Sequence, residues 1–271
     1  MLAFFGNQLV SGYVRGRQVA EFLEVPFNPP NHNDFTCVWV KRRVEPWWPE
    51  KSWVDIMDAA DLRGNIRDSG RPVGVIAFTT ASYVYLLRFY KRFNHRVVLI
   101  PQHHCNFEKT LRPDREVRIV GFVGHKEGLS CGEDELRAGL AEVGLELRCL
   151  YFGRSATQCR ISRMDVVKFY EDIDIQVSFR WLRGMFHRFK DNVRFLNAGS
   201  FGIPSVSAPE GNLLEHFADS AITAMTVTDL VRECGRLKNE PNYYKEMSKR
   251  VLEASQAYHI SQIAPKYAEL D

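Results

Sequence analysis

The stretch DIDIQVSFRWLRGMFHRFKDNVRFLNAGSFGIPSVSAPEGNLLEH, Asp172 to His216, decides the fold. Ile175, Val177 and Phe179 alternate with Asp174, Gln176 and Ser178, which is the period of a strand. A basic, aromatic loop follows. Asp191 then stands as the N-cap of a helix running to about Ser200. Gly202 ends that helix, and Ile203 to Val206 reads as a short buried strand. After Ala208-Pro209-Glu210-Gly211-Asn212 the chain turns into another helix at Leu213. Lys190, Arg194 and Asn197 fall at i, i+4 and i+7, one stripe if the first turn includes Lys190. Two cations and an amide in a stripe read either as a solvated basic face or as a seat for an anion such as a diphosphate; the stripe alone favours the solvated face.

Working outward, the chain of 271 residues is long enough for one large domain or two small ones. Its formal charge of +3 is too small to argue for nucleic acid. The six cysteines are scattered, with no CxxC and no metal-ligand spacing, which fits reduced thiols in a cytoplasmic setting. No signal peptide and no transmembrane segment are expected, because no apolar run approaches a membrane span.

Upstream, Leu2 to Phe5 reads as a strand, Gly6 to Gly12 as a loop and Tyr13 to Leu23 as a helix, the opening of a Rossmann-like half. The glycines do not form GxGxxG, so no dinucleotide is implied. Arg15 and Arg17 read either as crevice cations or as surface residues, and the surface reading is favoured. Thr36 to Val40, Trp53 to Met57, Val73 to Phe78 and Arg96 to Ile100 are further strands, with Thr79-Thr80-Ala81-Ser82 and then a helix through about Tyr90 between the last two, so residues 1–101 form an α/β unit. Trp47-Trp48 reads as hydrophobic cover; exposed aromatics would instead favour a sugar-stacking role. The polar stretch 102–116 is a linker. A second α/β half, 117–271, contains strands Val117 to Val123 and Leu145 to Phe152, helices Glu133 to Val143 and Met164 to Glu171, and a long C-terminal helix from about Asn242 to Leu270.

Three motifs in this order carry a resemblance. VRIVGFVGHKEG is similar to the strand and loop that open the second domain of glycosyltransferase group 1 proteins, and DVVKFYEDIDIQVSF resembles their next helix-strand unit. RFLNAGSFGIPSVSAPEGNLLEH resembles their most specific segment, with Arg194, Ala198, Gly202, Pro204, Val206, Gly211 and Glu215 in register. The resemblance implies the GT-B fold: two Rossmann-like domains facing across a cleft, acceptor bound by the first and nucleotide-sugar donor by the second. It implies transfer of a sugar to a glycan or other hydroxyl acceptor. Gly124 would leave room for the donor diphosphate, with His125 or Lys126 in contact. Arg194, helped by Lys190, would neutralise the departing phosphate, which lets this fold usually work without metal or other cofactor. Pro209, Glu210, Gly211 and Asn212 lie where the family holds donor sugar or phosphates, Asn197 and Arg180 lie nearby, and Glu215 matches the carboxylate that grips the ribose.

One departure stands out. Retaining members carry Glu-x7-Glu ahead of this segment, and here those positions are Phe189 and Asn197. That leans toward inversion, which needs a general base. His104 is the tentative base; His32, Asp34, Asp61 and His103 are other options, and Arg183 and His187 join Arg180 in the basic loop. A non-catalytic nucleotide-sugar-binding scaffold, or an epimerase of the same fold, is the competing reading.

Overall fold

A computed structural model of the chain describes residues 1–7, 10–40, 45, 47–56, 73–90, 96–153, 161–180 and 189–270. It divides into two compact units, one of residues 1–103, 184–191 and 260–271, the other of 104–183 and 192–259.

The first unit holds five parallel strands in chain order: β1 (Leu2–Phe5), β2 (Thr36–Val40), β3 (Ser52–Asp55), β4 (Gly74–Ala77) and β5 (Val97–Leu99). A π-helical turn, Gly12–Arg17, runs into α1 (Gln18–Leu23), and α2 (Thr80–Tyr90) lies between β4 and β5. The runs of β1 to β4 are buried on both faces, as parallel strands require, while the edge strand β5 is half-buried. Ala3, Phe5, Cys37, Trp39, Val54, Val75 and Ala77 pack under Trp48, Leu86 and Phe189. Against the opposite face lies the end of the chain, with Tyr267 set edge-on to Phe4 at 5.2 Å and Trp53 Nε1 donating to the Leu270 carbonyl at 3.2 Å.

Arg15, read from sequence as a surface residue, is 1% exposed. The π turn widens the helix where this side chain turns inward. Its Nε donates to Asp55 at 2.8 Å and its Nη2 to the Ile100 carbonyl at 2.9 Å, while the Tyr267 hydroxyl donates to Asp55 at 2.8 Å. A buried guanidinium is tolerable only with partners of this kind, and no sequence period reports them.

In the second unit β6 (Ile119–Gly124), β7 (Glu146–Tyr151), β8 (Ile175–Ser178), β9 (Ser205–Ser207) and β10 (Ile222–Thr223) form a parallel sheet of order 10-9-8-6-7. The helices are α3 (Glu133–Glu142), α4 (Arg163–Asp172), α5 (Val193–Ser200), α6 (Gly211–Phe217), α7 (Val227–Asn239) and α8 (Pro241–Gln256). Leu136, Leu140, Leu230, Cys234 and Leu237 of α3 and α7 cover one face. Val167, Tyr170 and Ala198 of α4 and α5 cover the other. The sheet is therefore doubly wound, and strand order reverses between β6 and β8, where such sheets open a crevice at the strands' carboxyl ends.

The start of β8 is tied to the start of β6 by Asp174. Its carboxylate, 1% exposed, accepts the backbone N–H of Arg118 and Ile119 at 2.8 Å and the guanidinium groups of Arg112 and Arg115 at 2.9 Å. The alternation that placed Asp174, Gln176 and Ser178 on a polar face is real, but helices cover both faces and all three are buried. Burial pushes the Asp174 carboxyl up, and the hydrogen bonds and arginines more than offset this, holding it below the usual carboxylate range.

Several element ends differ from expectation. The helix expected from Asp191 has Asn192 at its N-cap, so Lys190 lies outside the helix and does not extend an Arg194–Asn197 stripe. The helix expected at Leu213 starts at Gly211, and the one expected to reach Leu270 stops at Gln256. Residues 260–271 then group with the first unit, as two short helices, Ile260–Ile263 and Pro265–Ala268. Among the described residues no helix is long and apolar enough to cross a membrane.

Two outcomes test these ties. Asp55→Ala strands the Arg15 charge and is expected to lower the melting temperature of the first unit by roughly 12–20 °C, about 3–5 kcal/mol, in calorimetry. Asp174→Asn is expected to lower stability at neutral pH. Because the folded pKa of Asp174 is depressed, that gap is full above the unfolded value of about 4 and closes as pH falls through the folded value, read from melts of both proteins.

Candidate functional site

The carboxyl ends of β6, β8 and β9 bring together residues that lie far apart in the chain. β6 ends at Gly124, whose φ of +147° is a backbone conformation that disfavours side chains. The chain then turns through His125 into a short 3₁₀ turn, Lys126–Gly128, closed by Gly128 N–H donating to His125 O at 2.8 Å. The Ser130 N–H donates to Phe179 O at 2.8 Å, which pins this loop to the end of β8.

Into the glycine-lined space reaches the half-buried Arg194 of α5. Its guanidinium carbon lies 4.9 Å from the centre of the Phe122 ring, and its Nη1 donates to Ser178 Oγ at 3.0 Å. A Cβ on Gly124 would run into the guanidinium, and one on Gly128 would come within 2.8 Å of Nη2. Absent side chains thus let the cation lie against the β6 loop, with an aromatic face and a hydroxyl to hold its plane. Arg194 sits in the first turn of α5, which has no acidic residue there and whose N-cap Asn192 makes no side-chain capping bond. A cation near a helix N-terminus is disfavoured by the dipole unless an anion joins it.

Opposite, at the ends of β8 and β9, Arg180 and Glu210 form a two-pronged pair with Nε–Oε1 at 2.9 Å and Nη2–Oε2 at 2.8 Å. The side chains are 17% and 6% exposed. Both were expected at the donor; the structure joins them to each other, so the Glu210 carboxylate is neutralised by a partner 30 residues away. Glu210 is also the N-cap position of α6. That helix has only seven residues, so its dipole is small. Asn212 is buried in its first turn, Gly211 is half-buried, and Glu215 is exposed on the same helix, with Pro209 half-buried just before it.

His125 and Lys126 are exposed, and His125 Nδ1 lies 3.1 Å from the Phe152 carbonyl. A carbonyl only accepts, so Nδ1 carries the proton and Nε2 is the basic nitrogen. Near the base of the same loop, the Tyr151 hydroxyl and then Arg137 hold the Glu133 carboxyl below its usual range.

Other expected residues go elsewhere. Asn197 is taken up within the second unit, its Oδ1 accepting the Cys105 N–H at 2.9 Å, and residues 104–116, expected as a linker, group with that unit. Lys190 groups with the first unit. Phe189 packs edge-on to Tyr85 at 5.3 Å in the first unit's core. His104, singled out as the base, has 3% of its surface exposed and its ring 5.4 Å from that of His259. A base must reach a hydroxyl proton, and a ring buried in this way does not. His103 is buried likewise, with Nε2 3.0 Å from the Val14 carbonyl, and burial pushes the nearby Cys105 thiol up to about 12. Asp61, Arg183 and His187 lie outside the described residues.

Ser178, Phe122 and Gly128, the residues that hold Arg194, were not picked out in the sequence as site residues. The one available signal was Ser178, a hydroxyl closing an otherwise apolar strand.

No protein-family model matches the sequence, and no curated protein matches it. Solved structures do. HepE from Anabaena, in complex with UDP and glucose, is similar over 99% of this chain and 98% of its own, at 12% identity and a TM-score of 0.64. A glycosyltransferase from Rickettsia africae is similar over 99% and 98%, at 11% identity and a TM-score of 0.59. Sucrose-phosphate synthase from Thermosynechococcus elongatus is similar over 88% of this chain and 73% of its own, at 14% identity and a TM-score of 0.60. The fold is that of the GT-B glycosyltransferases.

Gly124→Ala tests the contact between loop and cation. Strain at positive φ together with the clash is expected to cost about 1–3 kcal/mol. Gly124→Ala with Arg194→Ala should recover the part due to the clash; a double variant no more stable than the sum of the two losses would show the guanidinium lies elsewhere.

Proposed function

We propose that the chain is a glycosyltransferase that moves a sugar from a nucleoside-diphosphate donor to a glycan or other hydroxyl acceptor. One observation carries the reading: the Arg194 guanidinium is held in plane by Phe122 and Ser178 against the side-chain-free Gly124 loop, at the reversal of strand order. That is where a doubly wound sheet binds nucleotides. The fold supports it, and HepE, solved with UDP and with UDP-glucose, makes a uridine donor the first to try.

In this reaction the anomeric carbon exchanges its bond to the donor phosphate for one to the acceptor oxygen, the acceptor hydroxyl gives up its proton, ultimately to solvent, and negative charge grows on the departing diphosphate. Arg194 is placed to stabilise that charge more in the transition state than in the ground state, which is what lowers a barrier. A fixed guanidinium does the work that a divalent cation does elsewhere, so the transfer is metal-independent in this reading. His125 and Lys126, exposed on the β6 loop, complete the phosphate contacts, and the exposed Glu215 carboxylate suits a ribose diol. Arg180, kept rigid by Glu210, faces the same strand ends. Inversion is the favoured outcome, because the positions of the paired glutamates of retaining relatives are Phe189, packed on Tyr85, and Asn197, bonded to Cys105 N–H.

The test is calorimetric titration with UDP, GDP and dTDP. One of them is expected to bind with or without EDTA, and Arg194→Ala, with unchanged circular dichroism, should weaken it by about 10- to 100-fold. Failure of all three to bind, or unchanged affinity in Arg194→Ala, overturns the assignment. Product analysis with the matching nucleotide-sugar should show the inverted anomer.

A further inference from the structure

Remote from the β6 loop in sequence, the first unit carries an aromatic cluster with one member open to solvent. Trp39 is stacked by Phe5 at 4.2 Å and by Trp48 at 4.5 Å, with interplanar angles of 23° and 10°. Two rings stacked this closely cannot share one face of an indole, so both faces of Trp39 are covered. Trp47 meets Trp39 at 85° and 5.6 Å. With both Trp39 faces taken, it is the Trp39 edge that abuts a face of Trp47. The His32 ring leans against Trp47 at 5.0 Å and 58°.

The neighbouring tryptophans have opposite fates: Trp48 is 2% exposed and Trp47 is 56% exposed. A turn in which Trp48 N–H donates to Glu45 O at 3.1 Å anchors one ring in the core and holds the other out. A lone exposed apolar residue needs no explanation. This one is held by ring contacts and bordered by the loop Asn31-His32-Asn33-Asp34, whose Asn31, Asn33 and Asp34 are exposed. Within that loop Asn31 Nδ2 donates to Asp34 Oδ2 at 2.9 Å, and Asn33 N–H to Asn31 Oδ1 at 3.0 Å.

We infer that Trp47 and the 31–34 loop form a carbohydrate-binding platform for a pyranose unit. A pyranose presents a face of C–H groups and a rim of hydroxyls. An indole face matches the first, and planar amides, an imidazole and a carboxylate match the second, since each pairs with neighbouring hydroxyls in two directions. A stable protein partner fits less well, since it needs about 800 Å² on each side, far more than one indole offers. Carbohydrate binding here does not depend on the donor assignment. Its identification as a docking point for a glycan acceptor does rest on the glycosyltransferase reading.

Fluorine NMR of the full chain labelled with fluorotryptophan, with the Trp47 signal assigned from Trp47→Phe, reads the platform directly. The probes are maltohexaose, cellohexaose, chitohexaose and mannohexaose. At least one is expected to shift the Trp47 signal at millimolar concentration. Trp47→Ala should weaken that binding by at least about tenfold, the scale of one aromatic contact, while Trp47→Tyr retains most of it. His32→Ala should weaken it less, and UDP titration of Trp47→Ala should match wild type. A Trp47 signal that no hexasaccharide moves, or binding that survives in Trp47→Ala, overturns the proposal. Hexasaccharide binding without nucleotide binding sustains the platform and removes the donor reading instead.

Discussion

Asp174 carries the geometry of the second unit. Its one carboxylate takes the N–H groups of Arg118 and Ile119 where β6 begins and draws Arg112 and Arg115 onto the same point. Four donors on a buried anion are strong because water does not compete there, and for the same reason the arrangement tolerates no missing partner. The pairing of β6 with β8 is thereby fixed at the amino ends, and the separation of Gly124 from Ser178 at the carboxyl ends follows from it. Tyr244 of α8 adds its hydroxyl to the Asp174 carbonyl at 2.8 Å, so the long helix is tied to the same place.

At the other end of those strands, Arg194 occupies a position made of what its neighbours lack. Gly124 and Gly128 give room, Phe122 gives a face and Ser178 an acceptor. The adjacent Arg180–Glu210 pair cancels its own charge and keeps its geometry. Arg194 is thus held by a ring face and a hydroxyl, and Arg180 by a carboxylate, a difference that counting arginines in the sequence does not reveal.

The first unit solves a different problem. Its middle strand, β3, and the helical turn after β1 are locked by the Arg15–Asp55–Tyr267 cluster, so residues at both ends of the chain stabilise one sheet. Chain ends joined this way also explain why the expected long terminal helix breaks after Gln256: Tyr267 has to reach Asp55, and Trp53 has to reach the Leu270 carbonyl.

By itself the sequence determined the alternation of strands and helices, the two α/β halves and the glycine loop after β6. These rest on local rules, namely periodicity, glycine punctuation and the order of motifs, which act over a few residues. Tertiary structure alone decided which polar groups meet. Asn197 turned to Cys105, Glu210 to Arg180 and Arg15 to Asp55, and His104 was buried, because each outcome depends on a partner 30 to 92 residues away or on what covers the side chain. The exposure of Trp47 beside a buried Trp48 belongs with them: two identical side chains in adjacent positions were sorted only by which of them the Trp39 stack could accommodate.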